Sequence, residues 1–96
     1  MKTEPNRADA LALDGWRLRQ EKALPEAQAR FQQALAIEPN NAHALVELGI
    51  IYERLDMPER ALVLYERAVS RNPNQPEIAD RLASLRNRGT KRPLPD

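Results

Sequence analysis

Residues 42–75 read AHALVELGIIYERLDMPERALVLYERAVSRNPNQ, and residues 8–41 read ADALALDGWRLRQEKALPEAQARFQQALAIEPNN. Laid over one another, the two stretches match Ala8, Leu11, Gly15, Ala27, Phe31, Ala34 and Pro39 to Ala42, Leu45, Gly49, Ala61, Tyr65, Ala68 and Pro73. A period of about 34 residues, with Gly in one helical segment, Ala-x-x-x-aromatic in the next and Pro closing the unit, marks a stacked array of helix-turn-helix units. Such arrays bind other molecules and rarely catalyse.

Working outward, the eight prolines test an all-α reading, because Pro inside a helix removes a hydrogen bond and costs about 3 kcal/mol. All eight fall between the predicted helices or in the tails. Pro5, Pro25, Pro58 and Pro76 stand where helices begin, while Pro39 and Pro73 end them. Five helices are predicted, at about 6–21, 25–37, 42–55, 58–71 and 76–88. Asn40-Asn41 and Asn74-Gln75 supply the turns between units, and Gly89 is the expected cap of the last helix. The organisation is then a lead-in over 1–7, one domain over 8–88 made of repeats 8–41 and 42–75 and a closing helix 76–88, and a flexible tail over 89–96.

The matched residues explain why the units stack. At about 100° per residue, Leu45, Leu48, Gly49 and Tyr52 share one sector of their helix, and Ala61, Tyr65 and Ala68 line one stripe of the next. Gly49 and Ala61 have too little side chain to hold two helices apart, so the pair is expected to pack closely with Tyr52 and Tyr65 wedged at the crossing.

These residues resemble the tetratricopeptide repeat family, whose pattern is Trp-x2-Leu-Gly-x2-Tyr, then Ala-x3-Phe, then Pro. The second unit reads Leu45-x2-Leu48-Gly49-x2-Tyr52, Ala61-x3-Tyr65 and Pro73. The first keeps Gly15, Ala27, Phe31 and Pro39 but has Asp14 where Leu is usual and Leu18 where Tyr is usual. Asp14 is tolerable where no unit packs on that side, as in a terminal repeat with a polar outer face. The segment from Pro76 to Arg88 places Ala79, Leu82 and Ala83 at the corresponding positions and resembles the solvating helix that closes such arrays.

The resemblance implies an α-α solenoid, a right-handed superhelix whose concave face, made by the first helix of each pair, takes up a peptide. The residues carried onto that groove are Asp9, Ala12, Trp16, Arg19 and Gln20, then His43, Val46, Glu47, Ile50, Glu53 and Arg54, then Glu77, Asp80, Arg81, Ser84 and Arg88. Ala12, Trp16, Val46 and Ile50 would form its apolar centre. Helical-wheel arithmetic agrees for Val46, Ile50 and Trp16, which fall outside the core stripe. The alternative for Trp16, the only tryptophan, is that it folds back and caps the core. Relatives that capture the C-terminal carboxylate of molecular chaperones would carry Lys, Asn, Asn, Lys and Arg where this chain has Ala12, Trp16, Glu47, Glu77 and Arg81. Only Arg81 fits, and Glu47 and Glu77 would repel a carboxylate. Asp9, Glu47, Glu77 and Asp80 point instead to a basic partner segment, unless they are a solvated face laced by the i,i+4 pairs Glu77–Arg81 and Glu26–Arg30.

Other functions are poorly supplied. Fifteen basic against fourteen acidic residues give a charge of +1, no field for nucleic acid or an anionic membrane; the cluster Arg86, Arg88, Lys91 and Arg92 reads as tail. No apolar run is long enough for a signal peptide or a bilayer span, which points to a cytoplasmic chain, although the absence of cysteine leaves the redox compartment open. One histidine, His43, with carboxylates but no second His or Cys makes a weak metal site, and no nucleophile elbow or phosphate loop accompanies it. Neither enzyme nor cofactor is expected. The expected partner is another protein, presenting a peptide or an amphipathic helix; the alternative is a second copy of the chain, forming a homodimer through the apolar strip or an exposed terminal face.

Overall fold

The computed structural model describes residues 7–90. They form five helices, α1 (Arg7–Gln20), α2 (Leu24–Ile37), α3 (Ala42–Arg54), α4 (Pro58–Arg71) and α5 (Pro76–Thr90), and no strand occurs among the described residues. Each helix packs on the next, and α1 also reaches α3. The array therefore has two layers, with α1, α3 and α5 on one side and α2 and α4 on the other.

Local chemistry sets the helix ends. Pro25 and Pro58 stand in the first turns of α2 and α4, where a missing N–H is no loss. Asn41 caps α3, its side-chain oxygen accepting from the Ala44 N–H at 2.9 Å. The two turns inside the repeats are the same structure made twice. Lys22 and Asp56, 34 residues apart, take the left-handed conformation at φ 66° and 59°. Around them Ala23 N–H donates to the Leu18 carbonyl at 2.9 Å and Met57 N–H to the Tyr52 carbonyl at 2.8 Å. With Lys22 donating to Arg19 and Asp56 to Glu53, both are Schellman motifs without the usual glycine. At the other end the sequence expectation needs correction, because α5 runs through Gly89 to Thr90 and Gly89 is not its cap. Pro5, the start of the lead-in and residues 91–96 of the expected tail lie outside the described residues.

The core follows the repeat. Ala8, Ala27, Phe31 and Ala34 of the first unit, and Leu45, Leu48, Tyr52, Ala61, Tyr65 and Ala68 of the second, belong to one buried cluster. A Cβ on Gly15 would stand 2.9 Å from the Phe31 ring, and one on Gly49 would stand 2.5 Å from the Tyr65 ring. Glycine is needed at both because the edge atoms of an aromatic ring stand where a Cβ would be.

Between the repeats, α3 lays Ala44, Leu45, Leu48 and Ile51 into the cluster, while Ile78, Leu82 and Leu85 of α5 cover the second repeat. Each of the leucines and isoleucines contributes about 1.5–3 kcal/mol of burial. The outer face of the first repeat is built differently. Asp14, Arg17 and Arg30 occupy the places that Leu48, Ile51 and Leu64 fill in the second, and Asp14 accepts from Arg30 Nε at 2.8 Å. Asp14 is thus placed on a solvated end, and its partner Arg30 is not engaged with Glu26.

Candidate functional site

The layer of α1, α3 and α5 carries the site because its helices expose the residues left over when the core stripes are buried. Two concavities run along it and share His43 and Glu47. One, of about 440 Å3, lies between α1 and α3 and is lined by Asp9, Ala12, Leu13, Trp16, His43 and Glu47. The other, of about 590 Å3, lies between α3 and α5, with Val46, Glu77 and Ile78 in its walls.

Trp16 stands in the first at 44% exposure, outside the core cluster, so it does not fold back over the core. Beside it Leu13, 53% exposed, is the apolar residue that the sequence reading missed. The signal was available: Leu13 occupies the position of Glu47 in the next unit, where the pattern allows a charge. Ala12 is buried at 3% and forms the floor of the concavity rather than a free contact. Val46 and Ile50 are half-buried against the cluster. Of the other expected groove residues, Arg19, Ile50, Arg54, Asp80 and Arg81 line neither of these two concavities.

Two ion pairs fix the spacing of the layer. Arg19 of α1 meets Glu47 of α3, Nε to Oε1 at 2.7 Å, with the two side chains 15% and 19% exposed. Those two atoms are shut off from solvent and lack an aligned hydrogen bond, so charge rather than hydrogen-bond geometry holds them. One repeat later Glu53 of α3 meets Arg81 of α5 at 2.8 Å. The positions are equivalent and the signs are reversed. Tyr65 joins only the second pair, its hydroxyl donating to Glu53 Oε1 at 2.6 Å. Burial, followed by the hydrogen bond to the Glu53 carboxylate, pushes its ionisation well above the usual tyrosine range. Arg81 is therefore a structural tie across the layer, and the i,i+4 pair with Glu77 expected from the sequence is not the one that forms.

Asp9 is oriented from below. The Asn41 amide, in a residue only 4% exposed, donates to Asp9 Oδ1 at 2.6 Å and to Glu38 Oε1 at 2.8 Å. The same side chain thus caps α3 and holds a carboxylate at the rim of the first concavity. Among the described residues no group of three His, Cys, Asp or Glu is arranged to hold a metal ion, and no helix is long and apolar enough to cross a membrane. The arrangement offers contact chemistry: apolar surface, carboxylates and a fixed helix spacing.

A family model described as tetratricopeptide repeat matches residues 18–85. No curated protein matches the chain.

Proposed function

The chain belongs to the tetratricopeptide repeat family, whose repeats mediate protein–protein interaction and are characteristically non-catalytic, and on that premise we propose that its α1–α3–α5 face docks a segment of another protein. The segment is an amphipathic helix or an extended peptide laid across the two concavities. Its main anchors are Trp16 and Leu13, with Ala12 as floor, and His43, Val46, Glu47 and Glu77 continue the contact toward α5. The supporting observation is the adjacency of Trp16 and Leu13. Two large apolar side chains exposed together in a concavity form the kind of surface on which interface energy concentrates. The same proposal places the chain in the cytoplasm.

A second reading, self-association, is favoured by a different place. At the outer end of the first repeat, Arg7, Ala10, Leu11, Asp14, Gln33, Ala36 and Ile37 line a concavity of about 650 Å3. Ile37 is 50% exposed there.

One experiment separates the readings. A photo-crosslinking residue is placed at position 13, 16 or 37, and at position 63 as control, since Val63 on α4 is also 53% exposed. Heterologous adducts of defined mass from positions 13 and 16 alone are the expected result. Adducts at twice the mass of the chain, strongest from position 37, would establish self-association instead, and equal labelling from position 63 would sink both.

A further inference from the structure

Positions 13, 47 and 81 are one place in α1, α3 and α5, repeated at intervals of 34 residues. Leu13 is exposed in the first concavity, whereas Glu47 and Arg81 are each drawn to the helix before, Glu47 to Arg19 and Arg81 to Glu53. Of these two pairs only the first touches the docking face: Glu47 lines both concavities, while Arg81 and Glu53 line neither. Arg19 lines neither as well, although Trp16, three residues earlier on the same side of α1, lines the first. Arg19 thus grips a residue of the shared wall from outside the concavities. Its Nε stands 2.7 Å from Glu47 Oε1, and both atoms are shut off from solvent. On its own helix Glu47 has no Lys or Arg within one turn, Arg54 being two turns on.

Resting on the docking reading above, we infer that Arg19 is a positioning residue, which acts on the partner only through Glu47. By matching the Glu47 carboxylate it lets a docked segment meet a dipole at the shared wall instead of a free negative charge, and a dipole's field dies away faster with distance. The pair therefore sets how far the face distinguishes basic from acidic segments.

Trp16 is the only tryptophan, so its emission reports arrival at the face without a label. The probes are two tryptophan-free amphipathic peptides with identical leucine faces, one with lysine and one with glutamate on the polar face. In the parent chain Trp16 emission shifts to the blue as the leucine face arrives, and the quantity read is the ratio of the lysine peptide's affinity to the glutamate peptide's. Arg19→Gln frees the Glu47 carboxylate and raises that ratio about fivefold. Adding Glu47→Gln returns it to the parent value, which a merely structural loss does not do. Glu47→Gln alone strands the Arg19 cation, lowers the ratio, and carries the test where Arg19→Gln does not fold. Arg30→Gln makes the same change of net charge but frees Asp14 at the outer end of the first repeat, and leaves the ratio as it was. An unchanged ratio in Arg19→Gln and Glu47→Gln, no return in the double variant, or an equal rise in Arg30→Gln overturns the positioning role and leaves the docking reading standing. No change of emission with either peptide in the parent chain overturns both.

Discussion

The two repeats bury matching positions and treat their outward faces in opposite ways. In the second, Leu48, Ile51 and Leu64 are buried, and α3 packs on the repeat before it. In the first, Asp14, Arg17 and Arg30 hold those positions and two of them pair with each other. Where the second repeat is polar, the first is apolar: Leu13 stands in place of Glu47, and Ile37 in place of Arg71. The backbone path is common to both, so side chains alone decide whether a face becomes an interface between units, a solvated end or a docking surface.

The largest expected effect breaks this contrast outright. Leu48→Asp gives the second repeat the outer residue of the first, leaving a carboxylate unpaired between units; unfolding in urea should show a loss of about 3–5 kcal/mol. The reverse exchange, Asp14→Leu with Arg30→Leu, removes only an exposed pair and should leave stability within about 1 kcal/mol. It enlarges the apolar end, and association by sedimentation should rise.

Next comes the contact of glycine with ring. Gly49→Ala and Gly15→Ala both push a methyl into an aromatic side chain, but Tyr65 is tethered through its hydroxyl to Glu53 and Phe31 has no such tether. Overpacking should cost about 2 kcal/mol in Gly49→Ala and about 1 kcal/mol in Gly15→Ala, after the gain in helix propensity. Equal costs would show that the tether does not hold the ring.

Burial of the Tyr65 hydroxyl, and after it the tether to Glu53, also makes the repeats respond differently to alkali. The ionisation of Tyr65 is raised in the folded state, so the stabilisation is complete below the ordinary tyrosine value of about 10 and is lost as pH climbs from there toward the folded value. Tyr65→Phe, which copies Phe31, should cost about 1 kcal/mol at neutral pH. Its difference from the parent chain should shrink above pH about 10, as followed by urea midpoints.

The smallest effect tests what the repeats share. Lys22→Gly and Asp56→Gly relieve the same left-handed strain at the same place in each unit. Each should raise stability by about 0.5–1 kcal/mol in urea titrations. A gain in only one would show that the two turns are not equivalent.

Most of the fold was legible because packing within a repeat is written in residues that recur. Leu45, Leu48, Gly49, Ala61 and Tyr65 announce a face by their spacing, and all five lie in the interior. The candidate site was legible only in part. Trp16, His43, Val46, Glu47 and Glu77 line one or both of the two concavities, yet Leu13 was overlooked, and Arg19 and Arg81 form ties between helices. A helical wheel gives the side of a helix on which a residue sits but not the length of a side chain's reach, and a reach of one repeat separates a tie from a free cation.

The sequence by itself determined the period, the helices, the core positions and the family, since each depends on residues close along the chain or repeated at a fixed offset. The tertiary structure decided which charges are spent on each other. Arg19 with Glu47 and Glu53 with Arg81 lie 28 residues apart with opposite order of sign. They meet because stacking brings the first helices of successive repeats side by side. The physical reason is that an ion pair forms between the groups that packing brings within reach, not between those nearest in sequence.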